Sequence, residues 1–233
     1  EVAVKSILHQ TLKPSEVVIV EDGPLTPELY QVLEKLAAQS SIPIKRCPLE
    51  QNRGLGLALQ YGVLQCQYDI IARMDTDDIA VEDRFEQQFD LMEKENLALL
   101  GGHIAEFIDQ PDEIVSYRRV PTKHEEIIAY QRMRSAFNHM TVMFKKEMVL
   151  KAGNYEDGLY MEDDLLWLNM ISAGARTGNV DQILCKVRVG AGMFERRGGL
   201  RYLKLYRQAR QRMHARGQIS YGEYLKSVLI QVV

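Results

Sequence analysis

The chain has 233 residues, 46% of them hydrophobic and 26% charged, with a formal charge of −3, which is the composition of an ordinary globular domain large enough to bury a full core. No stretch reaches membrane-spanning length, and no signal peptide is expected. Cys47, Cys66 and Cys185 are odd in number and far apart, and His9, His103, His124 and His214 lack ligand-like spacing, which argues against a disulfide framework or a zinc site and for reduced thiols in a cytosolic setting.

Glu1 to Gln10, with Val2, Val4, Ile7 and Leu8, is expected to be helical, and Glu16 to Glu21 reads as a buried strand because Val17, Val18, Ile19 and Val20 are uninterrupted. After the loop Glu21-Asp22-Gly23-Pro24, Thr26 and Pro27 supply an N-cap and a first-turn proline. Leu29, Val32, Leu33 and Leu36 then line a helix that runs to about Ser40. A strand near Ile42 to Cys47, a helix from about Gly54 to Gln65, and the short strand Ile70, Ile71, Ala72 follow. This alternation implies a parallel-sheet α/β architecture.

Phe85, Phe89 and Met92 recur at helical spacing between Val81 and Asn96 and are read as core, and Leu97 to Leu100 reads as another strand. After Gly101 and Gly102 the pattern changes to irregular strands, a capping box at Thr122 with Glu125, a strand His139 to Phe144, and helices near Lys145 to Ala152 and Glu162 to Ala173. Gly153 and Gly174 stand where helix C-caps belong. There is no internal repeat and no low-complexity linker. Residues 1–100, 101–190 and 191–233 are therefore expected to share one compact body.

The chemistry concentrates at strand ends, where ligands of open α/β sheets bind. Arg73-Met74-Asp75-Thr76-Asp77-Asp78 sets carboxylates at i and i+2 just beyond a strand, where hard oxygens can share one divalent cation with a ligand's phosphates, although such clusters also end strands for local reasons. Asp22 can accept from a base N–H or a ribose hydroxyl, or simply form an Asp-Gly turn. Glu50-Gln51-Asn52-Arg53-Gly54-Leu55-Gly56 offers close backbone approach before a helix and an Arg53 that can stack on a base or pair with phosphate; it is not a Walker loop. Glu162-Asp163-Asp164 precedes Leu165, Leu166 and Trp167 at a helix start. The macrodipole favours acids there by about 0.3 to 1 kcal/mol each and lowers a carboxylate pKa, whereas mutual repulsion and a nearby diphosphate raise it again, so a general base is allowed. A lone imidazole such as His139 is more often a hydrogen-bonded core group than a ligand.

Ala3 to Thr11, Ile19 to Gly23, Asn52-Arg53-Gly54, Ala72 to Asp78, Asn138 to Phe144 and the acidic run before Trp167 are collinear, and together they resemble the nucleotide-sugar glycosyltransferases of family 2, of GT-A fold. Arg188 with Arg196-Arg197-Gly198 looks like the bacterial exopolysaccharide and lipopolysaccharide branch. The resemblance implies a Rossmann-like fold with a mixed, mostly parallel central sheet, and metal-dependent, inverting transfer of a hexose from a nucleotide diphosphate sugar to a saccharide or lipid-linked saccharide, in surface-polysaccharide assembly. On matching positions it implies Asp22 at the nucleoside, Arg53 and Arg73 at base or phosphates, Asp75 at ribose or metal, Asp77 at a Mn or Mg ion, Asp163 as base, and Glu162 as its neighbour. Asp-Asp-Leu-Leu-Trp departs from the family's Asp, aromatic, Asp, Leu, Trp, which leaves Asp163 and Asp164 competing for the role. The family's first strand, with its Pro-x-Tyr-Asn-like loop, is expected to be missing, since Glu1 already lies in the following helix.

Two alternatives accompany this reading, a sugar-1-phosphate nucleotidyltransferase and an inactive nucleotide-sugar-binding subunit. From Arg196 to Gly222 the chain carries eight Arg or Lys residues and no Asp or Glu, with Leu200, Leu203, Tyr206 and Met213 interleaved. That amphipathic pattern is a solvated basic face or a dock for an anionic cytoplasmic leaflet; nucleic acid is not expected.

Overall fold

The computed structural model describes residues 1–157, 161–190 and 199–232. Helix α1 (Val2–Leu8) buries Ala3 and Ile7, and β1 (Val17–Glu21) pairs in parallel with β2 (Ile44–Pro48), Val17 opposite Ile44. Between them α2 (Pro27–Gln39) begins at the expected Thr26 cap, whose side chain accepts from the Leu29 amide. It buries Leu33 and Leu36, while Leu29, placed on the same stripe by sequence, is exposed. Helix α3 (Leu55–Gln65) leads to β3 (Ile70–Ala72).

A second sheet holds β3, β4 (Ile79–Ala80), β5 (Leu99–Phe107), β6 (Ile114–Arg118), β7 (Met143–Lys145) and β8 (Thr177–Arg188), in the order β3-β7-β5-β8-β4 with β6 on β5. Pairing is mixed, as expected: the two longest ladders, β1–β2 and β5–β8, are parallel and the four short ones antiparallel. The continuous parallel run implied by strand–helix alternation breaks between β1 and β3. Those strands do not pair with one another, although Val17 and Ile70 pack on the same core cluster.

Several local expectations are corrected. The strand expected at Leu97 to Leu100 begins at Leu99, as β5, and continues through Gly101 and Gly102 to Phe107. A Cβ on Gly101 would meet Asn179 Oδ1 at 2.5 Å and one on Gly102 would meet Leu184 Cδ1 at 2.4 Å, so the glycines admit close packing instead of ending the strand. The proposed strand His139 to Phe144 begins as a 3-10 turn, His139–Thr141, because the Thr141 amide and hydroxyl both donate to the Asn138 carbonyl. Helix α5 (His124–Gln131) is capped at Lys123 without a side-chain hydrogen bond, so the Thr122 capping box does not form; the Thr122 carbonyl accepts from the Asn179 amide instead.

Helix α4 (Arg84–Glu95) buries Arg84, Phe85, Gln88 and Met92, whereas Phe89 is exposed. The largest core cluster gathers Leu99, Phe137, Phe144, Tyr155, Leu166, Trp167 and Met170 beneath α6 (Lys146–Lys151) and α7 (Glu162–Ser172). Helices α8 (Gly199–Ala215) and α9 (Tyr221–Val232) follow, and Met213 and Ile219 pack on Leu165 and Leu168 of α7. Arg196, Arg197 and Gly198 lie outside the described residues.

Asp78, only 2% exposed, joins two parts of this frame by accepting from the Arg188 amide at 3.0 Å. Burial, reinforced by Asp75 and Asp77, pushes its carboxyl up to about 7. Because the folded value lies above that of the unfolded chain, the cost of the charge is absent below about pH 4 and grows as pH rises towards 7. Asp78→Asn keeps an acceptor for Arg188 and removes the buried charge. Thermal melts in chelator-treated buffer should show a higher Tm for the variant at pH 8 and a gain that shrinks towards pH 4.

Candidate functional site

The chain leaves β3 at Arg73, whose side chain is 6% exposed. Its guanidinium pairs bidentately with Asp75, Nη1 donating to Oδ2 at 2.8 Å and Nη2 to Oδ1, while Nε has no hydrogen-bond partner among the described residues. Beneath it lies Arg84, which sequence reasoning treated only as part of a helix. This fully buried guanidinium donates to the Arg73 carbonyl at 2.8 Å and to Gln88 Oε1 at 2.9 Å, so it pins the backbone from which the acidic loop starts. The signal for it was present: Arg84, Gln88 and Met92 recur every four residues on the face that carries Phe85.

Asp77 is exposed and takes no side-chain hydrogen bond among the described residues. Among those residues no three His, Cys, Asp or Glu side chains form a ready metal cage. The donor set nevertheless fits a hard divalent cation, since Mg-type sites use one or two carboxylates completed by substrate phosphates.

Asp22 lies at the next strand end. Its Oδ1 accepts from the Arg53 amide at 2.7 Å and its Oδ2 from the Gly54 amide at 3.1 Å, lacing the loop after β1 to the loop after β2. Gly23 permits this, because at φ +96° a Cβ would stand 2.8 Å from the Asn52 nitrogen. The Arg53 side chain is exposed. Helix α3 then meets the fourth motif: a Cβ on Gly56 would lie 2.5 Å from the Glu156 carbonyl and 3.2 Å from Glu162 Cβ.

Glu162, Asp163 and Asp164 open α7 with no side-chain cap. They diverge. Asp164, 8% exposed, accepts from Gln131 Nε2 at 2.7 Å and serves the core. Asp163 remains 22% exposed, its Oδ1 accepting from the Asp164 amide at 2.9 Å and its Oδ2 3.9 Å from His139 Nδ1. Burial, followed by the charges of Asp164 and Glu162, raises the Asp163 carboxyl well above the usual carboxylate range, and burial raises Glu162. Arg73 opposes both shifts, which places its charge within reach of both acidic motifs. His139 joins Tyr155 through Nε2 at 2.9 Å. Tyr155 was not singled out from sequence, and nothing in its local pattern distinguishes it from any core tyrosine.

Of the basic residues near the end of the second sheet, Arg188 lies over the Phe107 ring at 4.7 Å and donates to the Ile108 carbonyl at 2.9 Å, a role that holds the β5–β6 turn.

Three kinds of similarity converge on this architecture. The solved structure of the mannosyltransferase PcManGT from Pyrobaculum calidifontis, in complex with GDP-Man and Mn2+, superposes with a TM-score of 0.67 at 15% identity, over 91% of this chain and 59% of that one. TarS of S. aureus in complex with UDP-GlcNAc gives 0.66 at 16%, over 89% and 60%, so the GT-A fold is shared while the chain spans about 60% of each solved chain. By sequence, an uncharacterized glycosyltransferase of Haemophilus influenzae is 44% identical over 86% of this chain and 74% of its own length. The amylovoran biosynthesis glycosyltransferase AmsE of Erwinia amylovora is 40% identical over 88% and 76%. The UDP-Gal:alpha-D-GlcNAc-diphosphoundecaprenol beta-1,3-galactosyltransferase of Escherichia coli is 33% identical over 99% and 83%. The family model for glycosyl transferase family 2 matches residues 1–156, which takes in the Asp22, Arg53 and Asp75 loops, and the chain belongs to that family.

Proposed function

We propose that the chain moves a hexose from a nucleotide diphosphate sugar to a hydroxyl of a saccharide carried on a lipid diphosphate, inverting the anomeric carbon, in the assembly of a surface polysaccharide. The carrying observation is that buried Arg73 pairs bidentately with Asp75 while its charge also pulls down the raised carboxyls of Glu162 and Asp163. A relative named for UDP-Gal and a GlcNAc-diphosphoundecaprenol, and solved neighbours bound to UDP-GlcNAc or to GDP-Man with Mn2+, support the donor and acceptor classes.

In this reading residues 1–100 bind the donor and 101–190 the acceptor. Asp22 meets the nucleoside, and Arg53 and Arg73 meet base and phosphates. Asp75 and Asp77 would hold a Mn or Mg ion, which neutralises the departing diphosphate when bound. Asp163 takes the proton of the acceptor hydroxyl, whose oxygen attacks the anomeric carbon from the face opposite the diphosphate. The bond from that carbon to the phosphate oxygen breaks, and its electron pair leaves with the nucleoside diphosphate. Glu162 keeps the base in an acidic neighbourhood that holds its proton affinity up.

The protein would act at the inner face of the membrane. Among the described residues no helix is long and apolar enough to cross one. Arg201, Lys204 and Arg207 are exposed on α8, and Tyr221, Leu225 and Leu229 are exposed at four-residue spacing on α9. Arg210 and Met213, counted in the basic amphipathic pattern by sequence, are buried; Arg210 donates to Ser227 Oγ at 3.0 Å.

Calorimetry with UDP-galactose, UDP-N-acetylglucosamine and GDP-mannose should show binding to one of them that requires Mn or Mg and is lost in Asp77→Asn. No metal-dependent binding to any nucleotide sugar would sink the assignment. Release of pyrophosphate would point to a nucleotidyltransferase, and tight binding without turnover to an inactive subunit.

Asp163→Asn should lower kcat by about 10²- to 10⁴-fold and leave donor affinity within about threefold. Since the carboxylate must be ionised to act, wild-type kcat should fall as pH drops through its raised pKa. The acid limb should therefore lie above the pH range of an ordinary aspartate.

Co-sedimentation with phosphatidylglycerol vesicles should weaken with salt and drop when Arg201, Lys204 and Arg207 become Gln, each basic residue near the surface being worth about 1 kcal/mol. Equal binding to neutral vesicles would remove the docking assignment.

A further inference from the structure

His139 sits in its turn because its neighbours leave it little choice. Asn138, fully buried, donates from Nδ2 to the Gly102 carbonyl at 2.8 Å, and its own carbonyl accepts from the Thr141 amide at 2.9 Å. The imidazole meets Trp167 edge-on at 5.8 Å between centroids and lies 5.7 Å from the Tyr155 ring, so only 11% of its side chain is exposed. Its two nitrogens face different partners: Nε2 is 2.9 Å from the Tyr155 hydroxyl, and Nδ1 is 3.9 Å from Asp163 Oδ2.

We propose that His139 is a positioning residue for Asp163, its Nδ1–H orienting the carboxylate through Oδ2 while the Tyr155 hydroxyl, donating to Nε2, fixes the tautomer. The inference rests on the assignment of Asp163 as base.

Burial and then the Arg73 charge hold the His139 imidazole well below its ordinary pKa, so the ring is neutral and carries a single N–H. Burial raises the Tyr155 hydroxyl, which keeps its proton. If that lone imidazole proton were on Nε2, the lone pair of Nδ1 would face the carboxylate. With the proton on Nδ1, Asp163 receives a donor and the Tyr155 hydroxyl has an acceptor. Asp163 is then oriented at both oxygens, Oδ1 by the Asp164 amide and Oδ2 by His139, and each oxygen keeps a lone pair for the acceptor's proton. At 3.9 Å the two groups are not yet hydrogen-bonded, so the proposal requires them to close by about 1 Å in the substrate complex, where catalytic hydrogen bonds commonly tighten.

Two measurements test this on the described chain. Long-range 1H–15N correlation spectra of the ligand-free protein should show His139 protonated at Nδ1, and Tyr155→Phe should weaken that preference; an Nε2–H ring in the wild type overturns the proposal. Turnover is then followed with whichever of UDP-galactose, UDP-N-acetylglucosamine or GDP-mannose the protein uses. His139→Phe, which keeps the ring packing, should lower kcat about 10- to 100-fold with donor KM within about threefold.

The groups acting on Asp163 are Glu162 and Asp164 on its own helix, Arg73 from the end of β3, and Tyr155 and His139 beside it. Loss of the His139 donor should therefore move the acid limb of kcat to higher pH, and His139→Asn, which retains an N–H, should recover part of the rate. If His139→Phe does not fold, Tyr155→Phe should give a smaller loss with the same direction of shift. An unchanged acid limb, or equal losses in the Phe and Asn variants, overturns the proposal. Should Asp163→Asn keep its turnover, the base assignment falls and this inference with it; an inactive Asp163→Asn beside a wild-type-like His139→Phe overturns this inference alone.

Discussion

One guanidinium organises this protein's polar interior. Arg73 emerges at the end of β3 almost fully buried, spends two of its nitrogens on Asp75 and leaves Nε without a partner among the described residues. A buried charge of this kind persists only when surrounding groups hold it, and here Asp75 pairs with the guanidinium while Arg84 fixes the backbone carbonyl. Two neighbouring cations repel, so the arrangement favours acidic groups around it and a polyanionic ligand beside it. Asp75, Glu162 and Asp163 are the acidic groups that answer.

The geometry that brings α3 against α7 depends on the absence of side chains. Gly56 lets the start of α3 approach the Glu156 carbonyl and Glu162, and Gln60 on the same helix donates to the Tyr155 carbonyl at 2.6 Å. The loop that carries Arg53 and the helix that carries Asp163 therefore share one wall, though more than a hundred residues separate them in the chain. Two segments distant in sequence thereby meet through close packing, without any salt bridge between them among the described residues.

Much of this is legible in the amino-acid sequence. Uninterrupted β-branched residues gave β1, Thr26-Pro27 marked the start of α2, and Gly153 and Gly174 adopt the positive φ expected of C-caps. The longest strand, β8, escaped notice for a physical reason. Its pairing with β5 shifts register around Asp181 and Gln182, which breaks the alternation that a sequence reader relies on. Within the acidic run of α7 the roles of Asp163 and Asp164 could not be separated by sequence, because their difference lies in which side of the helix Gln131 occupies. Arg84 and His139 show the same limit: a polar residue on an apolar face announces that it has a partner and does not say which one.

The lacing of Asp22 to the amides of Arg53 and Gly54 has a thermodynamic consequence. Two loops that would otherwise wander are ordered when the chain folds, so the entropy of fixing them is lost then and not on ligand binding. A wall built this way is preorganised and sacrifices adaptability; under the proposed function, discrimination among nucleobases would come from shape already present in it and not from loops that close around the ligand.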